Sequence, residues 1–276
     1  MTNVESVEEL KSICNDVRKD ILLMVYTAGS GHIGGSFSAT ELMVALFSSI
    51  MKHDPNNPED NNRDRFILSK GHCTPAYYSV LAHSGYFDTS ELLNFRKLNS
   101  SLQGHPDKSK FPLMETTSGS LGQGLSISAG KAFALKIDGN NAKVYCMLGD
   151  GELDEGQVWE SLATIQKYKL NNLIIIVDHN NIQLDGTNAE IKNLEPLNEK
   201  FKAFNYEVLE VDGHDINEIV NTYNYAKLLS GDGKNVIILA HTVKGKGVSF
   251  MENTSEWHGK APDKDEYERA LKELEN

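Results

Sequence analysis

The sequence predicts an α/β fold: a doubly wound, mainly parallel sheet with helices on both faces. Three observations predict it. From Ala142 onward, strand-like apolar runs start roughly every 30 residues, the length of a β-α-β unit. The runs at 143–148, 172–178 and 236–240 are continuous rather than alternating, as expected where helices cover both faces of a sheet. The segments between them, near 157–168, 196–204 and 215–229, have helical periodicity.

The earlier part of the chain supplies further elements. Ser6-x-x-Glu9 reads as a capping box, followed by Leu10, Ile13, Cys14, Val17, Ile21, Met24 and Val25 at helical spacing. Ser38-x-x-Glu41 repeats the signal ahead of LMVALFSSIM and predicts a second helix. The Gly-rich TAGSGHIGGS lies between them as a loop. Residues 65–68 (RFIL) read as a strand running into SKGHCTP, and Asp88-x-x-Glu91 opens a short helix. Residues 121–136 (LGQGLSISAGKAFALK) are helical with small residues on one side, which predicts close packing against another backbone. A strand at 207–211 completes the set. No linker rich in Pro, Gly or Ser divides the chain, so residues 1–276 are expected to form one domain.

Composition narrows the function. A formal net charge of −12 opposes nucleic-acid binding, which rests on Lys and Arg against phosphate. The longest apolar stretch, 173–177, is far too short to span a bilayer, and the first twelve residues lack a signal-peptide pattern. Cys14, Cys73 and Cys146 are widely spaced with no metal-ligand pattern, so a reduced, cytoplasmic setting is expected, with Cys14 and Cys146 as small core residues.

The segment from Met147 to Gly186 is the most informative. Ligands of open parallel sheets bind beyond the carboxyl ends of the strands. Strand 143–148 ends at Gly149-Asp150-Gly151, and strand 172–178 ends at His179-Asn180-Asn181, so one crossover returns Asn180 to the rim that holds Asp150. A carboxylate and an amide oxygen there are hard ligands, suited to Mg²⁺ or Ca²⁺ rather than zinc. The flanking glycines allow the backbone to approach a bulky anion that the metal also grips. Gly231-Asp232-Gly233 is an internal control: it precedes a strand, has no Asn 25 to 30 residues on, and reads as a plain turn. No G-x-G-x-x-G opens a helix after a first strand, so a Rossmann dinucleotide site is not expected.

Four histidines, His32, His72, His105 and His258, share Gly-flanked loop settings, while His53, His83, His179, His214 and His241 read as structural. The separations of the four do not suit zinc. Neutral or cationic imidazoles around an anionic metal complex would donate to phosphate oxygens and substrate hydroxyls, and near neutral pH would shuttle protons.

These words, in order, resemble a known family. GSGHIGGSFSATELMVALF, DRFILSKGHCTPAYYSVL, GHPD, TTSGSLGQGLSISAG, GDGELDEGQVWE, HNNIQLDG and WHGKAP are similar to the N-terminal, diphosphate-binding region of transketolase, from about Gly29 to Pro262. GDG followed some thirty residues later by Asn is the diphosphate-binding signature of thiamine-diphosphate enzymes. The resemblance implies thiamine diphosphate as cofactor and Asp150, Asn180 and the backbone carbonyl of Ile182 as metal ligands. It implies cofactor contacts from His72, Gly119, Ser120, Leu121, Gly149, Asp150, Gly151, Glu155, Asn180 and His258, and substrate contacts from His32, His105 and His258. Glu155 resembles the acid of GDGxLxEG, which enters a hydrogen-bond network near the subunit interface beside the cofactor. One departure is Ser120, where many members have Pro. The loop Lys244-Gly245-Lys246-Gly247 is read either as closing over the diphosphate or as solvated.

After His258 only eighteen residues remain, too few for the pyrimidine-binding domain that supplies the activating glutamate in this family. The resemblance therefore implies the N-terminal half of a split transketolase, moving a two-carbon ketol unit from a ketose phosphate to an aldose phosphate in a reaction of the pentose phosphate type. The C-terminal subunit would sit on another chain in an α₂β₂ heterotetramer, with helix 121–136 and the acidic segment 152–155 as contacts. Two alternatives stand beside it: half of another thiamine-dependent enzyme (1-deoxyxylulose-5-phosphate synthase-like or 2-oxoacid decarboxylating), or a non-catalytic cofactor-binding module.

Overall fold

The computed structural model describes residues 6–275; part of the segment read for a leader, residues 1–5, lies outside them. Five strands form the sheet: β1 (Arg65–Leu68), β2 (Val144–Gly149), β3 (Leu173–His179), β4 (Glu207–Asp212) and β5 (Val236–His241). Their order is β1-β2-β3-β5-β4, and every pairing is parallel. The sheet is thus wholly parallel, and β5 inserts between β3 and β4.

Strand pleating sends alternate side chains to opposite faces, and both faces are covered. Tyr145, Met147, Ile174, Ile176, Val236 and Ile238 join one core layer, under α1 (Val7–Ala28), α3 (Thr40–Ala45), α4 (Thr74–His83) and α9 (Ile216–Gly231). Val144, Cys146, Leu148, Ile175, Val177 and Ile237 join the other, under α5 (Gln123–Ile137), α6 (Gly156–Tyr168) and α8 (Leu197–Ala203). β4 departs from the continuous apolar pattern: it is an edge strand, with Glu207, Glu210 and Asp212 exposed. Charges on an unpaired edge oppose association with further strands.

Helix α1 opens on the expected capping box, Ser6 Oγ accepting from Glu9 N and Glu9 accepting from Ser6 N, and stops at Gly29 in the left-handed region (φ 61°). The second expected capping box is not formed. Ser38 ends α2 (Ile33–Ser38) and donates to Asp178 Oδ2 at 2.6 Å. Glu41 pairs with Arg18 at 2.6 Å and with His214 Nδ1 at 3.0 Å. A buried carboxylate needs charged partners more than a helix start needs a cap, so tertiary demand wins. Asp88 caps as expected, accepting from Ser90 N, but the turn it opens is a 3₁₀ helix, Thr89–Asn94. Three helices were not expected: α2, which begins at Ile33 inside the segment read as a Gly-rich loop; α4, which follows SKGHC; and α7 (Asn188–Ile191), with a Thr187/Glu190 capping box that TNAE spells out. Asp232 caps the end of α9, as a plain turn.

The small residues of α5 meet a backbone where expected. A Cβ on Gly124 would lie 2.7 Å from Ser69 Cα, so this helix sits directly on the loop after β1. Gly34 in α2 is equally constrained: a Cβ there would lie 2.9 Å from the Trp257 carbonyl oxygen. The three cysteines are free and buried.

At the carboxyl rim a buried ion pair joins these parts. Lys70, 2% exposed, pairs with Asp178, 0% exposed, at the tip of β3, and the carboxylate also accepts from Ser38 and from Thr242 after β5. Burial alone would lower the Lys70 pKa, but the Asp178 carboxylate overrides it and raises it. Asp178→Asn leaves a buried ammonium without a counter-charge. It should cost about 3–5 kcal/mol in urea unfolding, and a loss below about 1 kcal/mol would show that the pair behaves as a solvated one.

Candidate active site

Above this ion pair, where β2, β3 and β5 end, the rim opens into a cavity of about 200 Å³. Asp150 and Asn180 both line it, as the crossover argument required. Asp150 is held rigidly: Oδ1 accepts from Gly151 N at 2.8 Å, and Oδ2 accepts from Asn181 N at 2.5 Å and Asn188 Nδ2 at 2.9 Å. Burial, and then Asp178, raise its pKa, so the carboxylate favours a cation nearby. The two amides of Asn180-Asn181 divide the work. Asn180 faces the cavity, its Oδ1 accepting from Ile182 N at 3.1 Å, while Asn181 turns the chain in the left-handed region (φ 64°) and presents its N–H to Asp150.

Ile182 also lines the cavity, and its carbonyl accepts from Lys244 Nζ at 3.0 Å. Among the described residues no three His, Cys, Asp or Glu side chains converge as a metal-binding group. A metal at this rim would rest on one carboxylate plus neutral amide and carbonyl oxygens. That set fits a hard divalent cation sharing its coordination with an anionic ligand.

Lys244 is not part of a solvated loop. It is 1% exposed and reaches Ile182 O, Gln183 O at 3.1 Å and His258 Nδ1 at 2.7 Å, whereas Lys246 turns to Glu252 at 3.8 Å. Burial, then Lys70, push its pKa down to about 8. Lys70 and Lys244 give an anion-attracting floor to a protein that is acidic as a whole. Lys70 was not among the residues expected at this site. The signal was available: a charge just past the apolar run RFIL must be buried with a partner.

The four loop histidines come together. His32 lies 5.2 Å from His72, 5.9 Å from His105 and 5.4 Å from His258, and His72 lies 5.1 Å from His258, centroid to centroid. His72 and His258 line the cavity, and His105 is exposed at its outer side. Near neutral pH the surroundings favour the neutral imidazoles. Burial, then Arg96, push His32 down to about 4; burial, then Lys244, push His258 down to about 3; burial lowers His72 and His105 too. The ammonium of Lys244 only donates, so His258 accepts at Nδ1 and carries its proton on Nε2. His32 Nδ1 is buried with no hydrogen-bond partner among the described residues. The site is a cluster of neutral imidazoles suited to hydroxyl groups.

The remaining expected residues are less centrally placed. Leu121, Gly149 and Gly151 line the cavity. Gly119, held in extended left-handed space (φ 148°), packs against His105, and Gly119 and Ser120 are exposed outside the cavity wall. Glu155 is also exposed and outside it, at the cap of α6, with its Cβ close to Gly122. Glu152 is no surface contact: it is 2% exposed and accepts from Gly122 N at 2.8 Å, Gly149 N at 3.1 Å and Ser69 Oγ. The structural reading of the other histidines agrees with their bonds, as His53 to Tyr86 and Phe47, His83 to Asp20, and His179 to His241.

Fold and cavity together define a parallel α/β domain with a cavity lined by polar and charged residues at its carboxyl rim. Comparison with known proteins specifies the class further. Residues 10–275 match the family model for the transketolase thiamine diphosphate binding domain. An apulose-4-phosphate transketolase subunit of Phocaeicola vulgatus is 37% identical over 268 residues, covering 97% of this chain and 94% of that one. The 6-deoxy-6-sulfo-D-fructose transketolase subunit of a Clostridium species is 40% identical over 267 residues, covering 97% and 96%. The solved transketolase of Leishmania mexicana superposes with a TM-score of 0.90 at 28% identity, over 99% of this chain but only 42% of that one. The chain belongs to the transketolase family and corresponds to its N-terminal, thiamine-diphosphate-binding domain.

The depressed histidines make a testable linkage. Their folded pKa values lie below the unfolded value of about 6.5, so in acid the unfolded chain binds more protons. Their contribution is complete above about pH 6.5 and is lost as pH falls toward about 4. Between pH 7.5 and 5, Tm should therefore fall less in His32→Asn than in the unsubstituted chain. Parallel pH profiles in scanning calorimetry would refute this account.

Proposed function

We propose that this chain is the diphosphate-binding subunit of a split transketolase, transferring a two-carbon ketol unit from a ketose phosphate to an aldose phosphate. The observation supporting this best is the meeting of Asp150, Asn180 and the Ile182 carbonyl at one rim, beneath the cluster of neutral histidines.

When bound, thiamine diphosphate supplies a C2 carbanion and an electron sink. Asp150, Asn180 and Ile182 O would hold Mg²⁺ (or Ca²⁺), and Lys70 and Lys244 would screen the remaining diphosphate charge. His72 and His258 reach the cofactor side of the cavity. His32, His105 and His258 orient substrate hydroxyls, each neutral ring offering one donor and one acceptor. His258 donates from Nε2, because Lys244 occupies Nδ1. The cluster therefore moves protons between neutral groups rather than acting as a permanent acid.

A second chain, in an α₂β₂ heterotetramer, would supply the pyrimidine-binding half, this chain being one diphosphate-binding domain. Two relatives of matching length are named as transketolase subunits, which supports the division. The exposed Phe133, Ile137 and Tyr168 on α5 and α6 are suited to the contact, as is Glu155, exposed at the start of α6. Free, buried cysteines support a cytoplasmic setting, and among the described residues no helix is long and apolar enough to cross a membrane.

Removing the carboxylate should remove the metal. Asp150→Ala is expected to weaken Mg²⁺-dependent thiamine diphosphate binding by at least about 100-fold, read by isothermal titration. Unchanged affinity would reject the metal site. The chain alone should convert xylulose 5-phosphate plus ribose 5-phosphate at under about 1% of the rate reached with its complementary partner chain, and full activity alone would reject the split.

A further inference from the structure

Beside the histidine cluster lies a second, open chamber of about 560 Å³, which shares no lining residue with the diphosphate cavity. Ser30, Arg96, Gln103, His105, Thr117 and Ser118 are among its walls. Arg96 is its only Lys or Arg.

Arg96 is built into this wall. Its backbone is left-handed (φ 59°), held by its N–H donating to Leu102 O at 2.9 Å, which folds residues 96–104 back on themselves. The guanidinium lies flat against Gly104, where a Cβ would come 2.6 Å from Arg96 Cζ. It also packs 5.4 Å from the Phe95 ring centroid. Any residue other than glycine at 104 would displace it.

The guanidinium so placed lacks a counter-charge. Among the described residues no carboxylate pairs with it, and its one hydrogen bond, to Ser30 Oγ, is 3.5 Å long. Nε is buried with no acceptor. The chamber's acid, Asp107, is turned to Ser109, accepting from its N at 2.9 Å and Oγ at 2.7 Å. By contrast Arg18 has Glu41 and Arg63 has Glu115. A half-buried guanidinium with an unsatisfied N–H is costly unless an anion completes it, and its fork matches an oxyanion.

We propose that Arg96 and Ser30 form a subsite for a tetrahedral oxyanion, a phosphate or sulfonate, carried on the sugar substrate. The assignment rests on the ketol-transfer reading above and adds a charge-reading contact on this chain. The placement favours substrate over cofactor: His105 lines the chamber, and its ring lies 5.9 Å from that of His32, whereas Asp150 and Asn180 line the other cavity.

The test titrates inorganic phosphate into the full chain after excess thiamine diphosphate and Mg²⁺, with cofactor uptake recorded first. Arg96→Gln should bind phosphate roughly tenfold more weakly or worse, with partial recovery in Arg96→Lys. Equal phosphate affinity in the unsubstituted chain and Arg96→Gln overturns the subsite. Failure of cofactor uptake by the unsubstituted chain alone is a separate result, which ties uptake to the partner chain and leaves the phosphate comparison to decide the subsite. In the complete enzyme, Arg96→Gln should raise KM for xylulose 5-phosphate about tenfold, while kcat/KM for unphosphorylated xylulose stays within about twofold. Equal losses on both donors would make Arg96 a support for His105 and overturn the proposal. Should Arg96→Gln lower the Tm, Arg96→Lys carries the same comparison.

Discussion

The buried pair between Lys70 and Asp178 holds the rim together. It connects the loop after β1, the tip of β3, the end of α2 through Ser38 and the start of the loop after β5 through Thr242. Each of these segments presents a neighbouring residue to the cavity: His72, Asn180, Gly35 and Lys244. Two charges removed from water are tolerated only in good geometry with further hydrogen bonds, and Asp178 has both. The pair also sets the field above it. Asp178 disfavours the charged form of Asp150, while Lys70 disfavours protonation of His72 and His258.

The electrostatics of the site run opposite to those of the protein. A chain of net charge −12 places two buried lysines under one cavity and keeps four imidazoles neutral beside them. The surface charge favours solubility, while the local cations decide what enters. Neutral imidazoles can accept from one hydroxyl and donate to another, which suits a polyhydroxylated substrate better than a row of imidazolium ions repelling one another. Lys244 contributes twice, drawing anions and fixing the tautomer of His258.

Glycine enters this architecture where backbones touch. Gly34 brings α2 against the Trp257 carbonyl, and Gly124 brings α5 against Ser69. Those two contacts press the histidine-bearing loops onto the rim. The same logic holds at Gly104, whose missing side chain leaves room for the Arg96 guanidinium.

Apolar periodicity and crossover length are local properties of the chain, so the strands, their parallel pairing and the shared rim of Asp150 and Asn180 were legible in the residues alone. So were the four loop histidines, through their Gly-flanked settings. Which polar groups are buried together emerged only on folding. Ser38 and Glu41 look like a cap in sequence, yet Asp178 and Arg18 claim them. Lys244 and Lys246 look alike, yet one is buried on Ile182 O and the other faces Glu252. Glu152 and Glu155 look like one acidic surface, yet Glu152 is buried. The reason is physical: the cost of burying a charge depends on partners that arrive from distant segments, and no window of sequence contains them.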